Sequence, residues 1–252
     1  MAKNTGPGAA RRPPRIPHEL TVKRVHRPVP RVVRVTLGGE SLADFDQPRP
    51  GGHVKAAFGW DGERPTMRTY TPRRFDAQQR ELDIEFVLHG AGVASDWAAS
   101  AEVGDRLTIF GPGGRYEPQA RSGVFVVAVD ETAMPAAGTV IESLPAGTRI
   151  IAICEVEDPS DERPLSQTVE VAPRWLHRST HHGEPSALLS TAVAELPPEI
   201  DADWFVACEA TAVRAVRRHL LEDRGVDPER VQTRGYWRRG QSDYPDHDYG
   251  ED

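Results

Sequence analysis

Two patterns of apolar and polar residues divide the chain. Between residues 19 and 110, short apolar segments are separated by proline and glycine. Leu82, Ile84, Phe86 and Leu88 alternate with polar residues, which is the pattern of a half-buried strand. We expect a small closed antiparallel barrel of six strands, interrupted by one short helix near Val93–Ala101. The six expected strands are Leu20–His26, Arg31–Leu37, His53–Phe58, Met67–Arg73, Glu81–Leu88 and Arg106–Phe110.

From residue 124 onward, expected strands and helices alternate. Val124–Val129 is an uninterrupted apolar segment, as in a strand covered on both faces. The alternation favours a parallel sheet with right-handed crossovers. Glycine and proline concentrate between Gly111 and Gly123, so we expect the domain boundary there. The further expected strands are Arg149–Val156, Gln167–Val171, Trp204–Cys208 and Val231–Trp237, and the expected helices are Glu131–Leu144, Ser186–Leu196 and Thr211–Arg224.

Composition and charge argue against several classes of function. The net charge of −7 gives no support for nonspecific binding to nucleic acid. No apolar stretch approaches the roughly 18 residues of a membrane span, and the first 15 residues lack the apolar core of a secretory signal. Cys154 and Cys208 lie in apolar segments, which favours reduced core thiols and a cytoplasmic location. We find no residue spacing that predicts a metal site.

The stretch from Met67 to Thr71 carries the first candidate chemistry. Arg68 and Tyr70 are two residues apart, so they share one face of a strand. An arginine offers a planar fork of donors for a phosphate, and a tyrosine ring can cover a planar cofactor. Thr71 adds a hydroxyl. These residue types could hold a planar, phosphate-bearing molecule, although the residues alone favour an ordinary half-exposed strand.

Longer strings of residues show a family resemblance. Arg68-Thr69-Tyr70-Thr71 resembles the Arg-x-Tyr-Ser/Thr flavin motif of ferredoxin-reductase-like flavoproteins. With ELDIEFVLHG and WAASAEVGDRLTIFGPGG, the chain resembles the siderophore-interacting proteins, which are FAD-dependent ferric-siderophore reductases, from about residue 18 to residue 240. The resemblance implies an FAD-binding β-barrel domain at 18–120 and an NAD(P)H-binding-like α/β domain at 121–240. A disordered tail at 1–17 and an acidic tail at 241–252 are expected to flank them.

The resemblance implies FAD contacts in both domains. From His89 through Gly90 to Ser95 the chain passes from a strand end into a helix, where backbone N–H groups favour a pyrophosphate. A glycine turn with Ser95 as the helix N-cap is the alternative. Tyr236 and Trp237 belong to a C-terminal Gly-Tyr-Trp-Arg-x-Gly string that resembles the family's signature. The implied FAD set is Arg68, Thr69, Tyr70, Thr71, Asp83, His89, Gly90, Ala94, Ser95, Tyr236 and Trp237.

A second implied site binds the electron donor, NADPH or NADH. Asp130-Glu131-Thr132-Ala133 resembles a family segment that follows the first strand of the second domain, and ligands of parallel sheets collect at this end of the strands. A helix start with Asp130 as N-cap is the alternative. An arginine near the ribose would favour a 2′-phosphate. The implied set is Asp130, Glu131, Thr132, Ala133, Glu209 and Arg178.

Two positions depart from the family pattern beside this second site. Val129 and Cys208 stand where the family has glycine. A larger side chain where backbone approach is needed could crowd a dinucleotide, which leaves a ferredoxin as an alternative electron donor. The replacements are equally compatible with no effect.

The resemblance also implies a basic mouth for the substrate. Lys55, Arg238 and Arg239 would attract an anionic ferric siderophore by charge. Ordinary solvated arginines are the alternative for the last two, more so for Arg239. The implied activity passes electrons from NAD(P)H through FAD to Fe(III) in a monomeric protein. A flavin reductase with another acceptor and a non-catalytic siderophore-binding protein stay open as alternatives.

Overall fold

The computed structural model describes residues 16–61, 64–90, 92–181, 187–241, 244 and 248–250. The strands of the first half are β1 (Pro17–Val29), β2 (Val32–Gly38), β3 (His53–Asp61), β4 (Arg64–Tyr70), β5 (Pro72–Asp76), β6 (Glu81–Val87) and β7 (Arg106–Gly113). Those of the second half are β8 (Val124–Asp130), β9 (Arg149–Val156), β10 (Arg174–His177), β11 (Asp203–Glu209) and β12 (Val231–Trp237). The α-helices are α1 (Val93–Ser100), α2 (Met134–Ser143), α3 (Ala187–Ala194) and α4 (Ala210–Arg218).

The first half forms an antiparallel, barrel-like sheet, as expected, but with seven strands in the order β4-β3-β7-β1-β2-β6-β5. The extra strand arises because the expected strand Met67–Arg73 is broken into β4 and β5 at Thr71. Pro72 follows it and has no N–H to continue a ladder. β4 and β5 are the two edges of the sheet, yet Thr71 alone separates them along the chain. The sheet therefore curls until its edges meet, without closing by hydrogen bonds. We call the segment Arg68–Thr71 at this junction the barrel seam.

The alternating strand β6 fills the barrel interior as its sequence predicts. Leu82, Ile84 and Phe86 are fully buried in the first apolar core. Asp83 and Glu85 point to the other face, where they are buried as well. The outer face of this strand is therefore covered, and Glu85 meets residues of the second half there.

The second half is a parallel sheet in the order β10-β9-β8-β11-β12. One apolar cluster covers each face, with α2 on one side and α3 and α4 on the other. After the central strand β8, the chain forms β9 and β10 on one side of β8. It later crosses to the other side of β8, where it forms β11 and β12. The direction of winding thus reverses between β8 and β11, which is where open α/β sheets bind ligands. We call the carboxyl ends of these two strands, at Asp130 and Glu209, the switch-point edge.

Two expectations about regular structure are corrected. The expected strand Gln167–Val171 is a turn, because its backbone N–H groups are taken by side chains: Gln167 N donates to Glu142 at 2.7 Å, and Val169 N donates to Ser166 Oγ at 3.0 Å. The third strand of that half is instead β10. The expected helix Thr211–Arg224 is α4 followed by a π-helical turn at His219–Asp223.

Ion pairs join the two halves, and the one made by Arg73 is buried. Arg73 on β5 makes a bidentate contact with Glu142 on α2, at 2.7 and 3.0 Å. Gly138 on α2 leaves room for the Arg73 guanidinium, because a Cβ there would lie 3.1 Å from its Cζ. Arg31 on the barrel binds Asp158 and Asp161 after β9. The orientation of the two sheets is therefore fixed by several directional contacts.

The chain ends differ in what the structure describes. Most of the predicted N-terminal tail lies outside the described residues, and Pro17 already begins β1. In the C-terminal segment, Gly235 N donates to Asp248 O at 2.9 Å, so this part of the segment lies against β12. No helix in the described ranges is long and apolar enough to cross a membrane.

Candidate functional site

Tyr70 presents an aromatic ring at the barrel seam. It packs on the barrel core, with its ring centroid 4.5 Å from that of Phe86 and 6.2 Å from that of Phe58. Burial raises the pKa of Tyr70 well above its usual range, so the phenol is neutral at physiological pH. One side of the ring is thus supported by the core, and the residue is still half-exposed. A planar ligand could rest against it.

Arg68 lies on the same face of β4 as Tyr70. It is paired with Ala56 on β3 and donates to Met67 O at 2.9 Å. Lys55 pairs with Thr69 instead, so those two side chains share the opposite face. The register therefore brings Arg68 and Tyr70 together. A place for Lys55 at the mouth of the flavin pocket stays a prediction.

The loop after β6 has the backbone of a tight turn at a helix start. Gly90 and Gly92 have φ values of 81° and 114°, which favour glycine. Gly92 is the N-cap of α1, so the alternative with Ser95 as N-cap is not what the structure shows. Ser95 lies buried in the first turn and accepts a hydrogen bond from His89 N at 3.4 Å. Apart from its immediate neighbours in the chain, no described residue comes within 4 Å of a Cβ built at Gly90, which leaves space for a ligand beside the backbone.

Asp83 and Ala94 are held within the fold. Asp83 lies on the outer face of β6 and accepts from Thr36 Oγ1 at 2.6 Å. It pairs in register with Arg74 and is 7% exposed. Ala94 is buried in α1 against the barrel core. A direct flavin contact by either residue stays a prediction.

A hydrogen bond links the barrel seam to the parallel sheet. The hydroxyls of Thr71 and Tyr236 are bonded to each other, so the last strand of the second half reaches the flavin motif of the first. Burial raises the pKa of Tyr236, and the Thr71 bond acts in the opposite direction. The next residue, Trp237, turns to the switch-point edge, where its Nε1 donates to Asp130 Oδ2 at 2.7 Å.

Asp130 is the most perturbed carboxyl group at the switch-point edge. It is 2% exposed, and its Oδ1 accepts from Thr132 N at 3.0 Å and from Thr132 Oγ1 at 2.5 Å. Burial and the charge of Glu131 raise the pKa of Asp130 to about 7, although the bonds from Thr132 and Trp237 lower it. Asp130 therefore exchanges a proton near neutral pH. The N-cap of α2 is Ala133 rather than Asp130, and α2 begins at Met134, three residues later than expected.

Arg178 is surrounded by carboxylates. It makes a bidentate contact with Glu131 and further bonds to Glu155 at 3.1 Å and Glu157 at 3.2 Å. Burial would lower the pKa of Arg178, but the bond and charge of Glu131 and the charge of Glu155 raise it above its ordinary value. Burial also raises the pKa of Glu155. Binding of a 2′-phosphate by Arg178 stays a prediction, and it requires the phosphate to compete with these carboxylates.

Glu209 caps a helix at the other side of the switch point. Its side chain accepts from Thr211 N at 2.6 Å and Ala212 N at 3.1 Å, which satisfies the first donors of α4. Arg239 N also donates to it, at 3.4 Å. Arg238 and Arg239 are themselves exposed, which fits both a basic mouth and ordinary solvated arginines, so their place at a mouth stays a prediction.

The two replaced glycine positions do not present side chains to the crevice. Val129 is fully buried in the core cluster under α2, and Cys208 is 2% exposed in the cluster on the other face. Burial raises the pKa of Cys208 well above its usual value, so it is a neutral thiol. The expected crowding of a dinucleotide by these side chains is therefore not seen.

Sequence reasoning missed three charged residues near this edge. Glu155 is the next-to-last residue of the apolar strand β9, Glu85 occupies the outer face of β6, and Arg163 lies in the irregular segment between β9 and β10. Arg163 links Glu85 to the switch-point side of the sheet: its Nη2 lies 3.4 Å from Glu85 Oε2 and donates to Glu131 O at 3.3 Å. The available signal was a glutamate inside an apolar strand, as at Glu85 and Glu155, because a buried charge needs a partner.

The seam fits a flavin dinucleotide on three counts. Tyr70 gives a supported aromatic surface, Arg68 gives a guanidinium on the same face, and the Gly90–Gly92 turn gives open space at a helix N-terminus. Among the described residues, no group of three or more His, Cys, Asp or Glu could hold a metal ion. The donor set of the seam therefore matches a planar, phosphate-bearing cofactor.

Comparisons with known proteins agree with this geometry. A family model described as siderophore-interacting protein matches residues 123–240, and one described as siderophore-interacting FAD-binding domain matches residues 58–116. Ferric vibriobactin reductase of Vibrio cholerae is 30% identical over 86% of this chain and 88% of that protein. The chain belongs to the siderophore-interacting protein family. The resemblance noted from the sequence is thereby confirmed.

Other family relatives cover nearly the whole chain. The NADPH-dependent ferric-chelate reductase of Escherichia coli is 30% identical over 87% of this chain and 92% of that protein. The crystal structure of a siderophore utilization protein from T. fusca superposes with a TM-score of 0.82 at 36% identity, covering 93% of this chain and 97% of that one. A ferredoxin reductase of carbazole 1,9a-dioxygenase shares the fold alone, at 18% identity and a TM-score of 0.65.

Proposed function

We propose that this protein is an FAD-dependent reductase of ferric siderophores that takes its electrons from NADPH or NADH. The observation that carries the proposal is the hydrogen bond between Thr71 and Tyr236, which brings the flavin motif next to the switch-point edge. A flavin at the seam then has a nucleotide-binding edge beside it. The names of the relatives, a ferric vibriobactin reductase and an NADPH-dependent ferric-chelate reductase, support the same activity.

The residues of the chain position and charge the reactants. When bound, FAD supplies the redox chemistry, accepting hydride from the reduced nicotinamide and giving single electrons to Fe(III). Arg68 and the Gly90–Gly92 turn would hold its phosphates, and Tyr70 would cover the ring. Asp130, Thr132 and Glu209 would contact the donor at the switch-point edge. Oxygen chelators hold Fe(II) less tightly than Fe(III), so reduction releases the iron.

The remaining assignments follow from this proposal. Lys55, Arg238 and Arg239 would attract an anionic chelate, and residues 18–120 and 121–240 would be the flavin and nucleotide domains. We propose a monomer that works in the cytoplasm, where the buried thiols Cys154 and Cys208 stay reduced. A ferredoxin is the alternative donor. Its support from the replaced glycines is weak, because the side chains of Val129 and Cys208 are buried.

Anaerobic photoreduction tests the flavin-to-iron step without a nicotinamide donor. Protein loaded with FAD is reduced by light in the presence of a sacrificial electron donor, which supplies the two electrons. It is then mixed with a ferric siderophore in the dark and followed by flavin absorbance, while an Fe(II) chelator reports released iron. Two Fe(III) should be reduced for each flavin reoxidised, since the reduced flavin carries two electrons. Tight chelate binding without reoxidation would support a non-catalytic binding protein instead. Reoxidation by other acceptors but not by ferric chelates would support a different flavin reductase.

A further inference from the structure

One hydrogen bond places an aromatic side chain across the switch point. β11 lies between β8 and β12 in the sheet, yet Trp237 on β12 donates to Asp130 on β8 at 2.7 Å. Neighbouring strands are about 4.8 Å apart, so the indole and the carboxylate together span roughly twice that distance. They therefore cross the carboxyl end of β11 at Glu209. This is the crevice in which a doubly wound sheet places its dinucleotide.

A register irregularity aims Trp237 in this direction. Cys208 pairs with Gly235, whereas the next residue, Glu209, pairs with Trp237. Tyr236 is the extra residue of a bulge, and bulges re-aim the side chains beside them. As a result Tyr236 bonds Thr71 at the barrel seam, while Trp237 bonds Asp130. Both residues are half-buried, so the indole still borders the space above the sheet.

We propose that Trp237, held by Asp130, is a latch on the donor crevice: the planar nicotinamide end of the donor enters only when the indole leaves Asp130. Breaking this bond therefore admits the dinucleotide. The inference rests on the proposed function, which gives this crevice to NADPH or NADH. It makes Trp237 a gate and Asp130 the positioning residue that holds it.

Protonation of Asp130 controls the latch. The ionised carboxylate accepts from three donors, two on Thr132 and one on Trp237. A protonated carboxyl has less acceptor capacity, and an indole N–H can only donate. The pKa of about 7 for Asp130 puts this change near neutrality. The groups that act on Asp130 are Glu131, Thr132, Trp237 and Glu155, and Asp130 in turn acts on Cys208 and Tyr236. Tyr236 is also faced by Thr71 and Arg234, and Glu155 is paired with Arg178.

The test measures binding of NAD⁺ and NADP⁺ to the FAD-loaded protein by calorimetry, at about pH 8 and about pH 6. Trp237→Phe keeps an aromatic ring without the N–H. At the higher pH it should bind dinucleotide about three- to tenfold more tightly than the parent, which is the effect of one hydrogen bond. At the lower pH the dinucleotide affinity of the parent should approach that of Trp237→Phe. The affinity of Trp237→Phe itself should change little between the two pH values. Trp175→Phe, on edge strand β10, is the matched control and should behave as the parent.

A second variant protects the test against misfolding. Asp130→Asn keeps the shape of the side chain but offers one acceptor oxygen for the donors of Thr132 and Trp237. At the higher pH this variant should therefore also bind the dinucleotide more tightly than the parent. Equal or weaker binding in both variants, or an unchanged pH response in Trp237→Phe, overturns the latch. Absence of binding in every variant overturns it too. Failure of the proposed function is distinguishable, because the photoreduction experiment uses no dinucleotide.

Discussion

The barrel seam and the switch-point edge are both candidate cofactor surfaces, but they are built on different principles. At the seam, a half-exposed tyrosine and arginine lie on one strand face beside open space at a glycine turn. At the switch-point edge, Asp130, Glu155 and Glu209 are buried and Arg178 contacts three carboxylates. At the seam, an arginine and an aromatic ring are therefore accessible to a ligand that carries a phosphate and a planar ring. At the edge, the charged side chains are already paired with one another.

This difference separates binding from stability. Removing a side chain at the seam takes away a contact with the ligand, whereas removing one at the edge leaves buried charges without partners. Variants of the seam should therefore lose FAD and keep stability, whereas variants that remove a buried charge at the edge should lose stability and keep FAD. The following experiments test that separation, from the largest expected effect to the smallest.

Arg178→Ala should destabilise the protein by about 3–5 kcal/mol, because it leaves the buried carboxylate of Glu155 and two neighbours unpaired. Urea unfolding of the apoprotein measures this, and FAD affinity should be unchanged. Arg174→Ala, on β10 just before Arg178, removes an exposed pair with Glu195 and should change stability by less than about 1 kcal/mol. Equal effects of the two substitutions would contradict the view that the edge is held by buried charge.

Arg68→Ala should weaken FAD binding by about 2–3 kcal/mol, since a charge-assisted contact with a phosphate is lost. Titration of the apoprotein with FAD, followed by flavin fluorescence, reports the affinity, and urea unfolding should show little change. Arg74→Ala is the control, because Arg74 lies on the neighbouring strand β5 and pairs with Asp76. An Arg68→Ala protein with the parent's FAD affinity would remove the seam as the flavin site.

Asp130→Asn should flatten the pH dependence of stability. The raised pKa of about 7 means that the folded chain holds this proton where the unfolded chain, with an ordinary pKa near 3.8, has lost it. The contribution of Asp130 to stability is therefore greatest at acid pH and falls as pH rises to about 7, by on the order of 1 kcal/mol per pH unit. The difference between parent and variant unfolding free energies should show this slope. A constant difference across pH would contradict the raised pKa.

Lys55→Ala and Arg238→Ala should have the smallest effects, because both act through solvent-exposed steering. Reduction of an anionic ferric catecholate should slow with salt, since the screening length falls from about 10 Å at 0.1 M to about 3 Å at 1 M. A neutral ferric hydroxamate should respond little. Each variant should flatten the salt dependence and keep its FAD. The control Lys23→Ala, on β1, should keep both its FAD and the parent's salt dependence. Equal salt responses for both chelates would argue against a basic mouth.

Much of the fold followed from local pattern. The alternation in β6 and the apolar run in β8 predicted their strands because each reports which faces of a strand are buried. β9 and β12 have the bounds expected from sequence. The strand break at Thr71 was missed, since one residue in an alternating segment does not disclose that its two flanks form opposite edges of a sheet.

The sequence by itself determined the two-part architecture, the family and the residue types at the flavin motif, because these depend on periodicity and on short contiguous strings. Only the tertiary structure decided how the candidate residues are used. It paired Arg178 with Glu131, buried Val129 and Cys208 away from the crevice, and joined Trp237 to Asp130 across β11. Such contacts link residues up to 107 positions apart in the chain. Their partners, and the pKa shifts that burial causes, arise only when the strands are placed side by side.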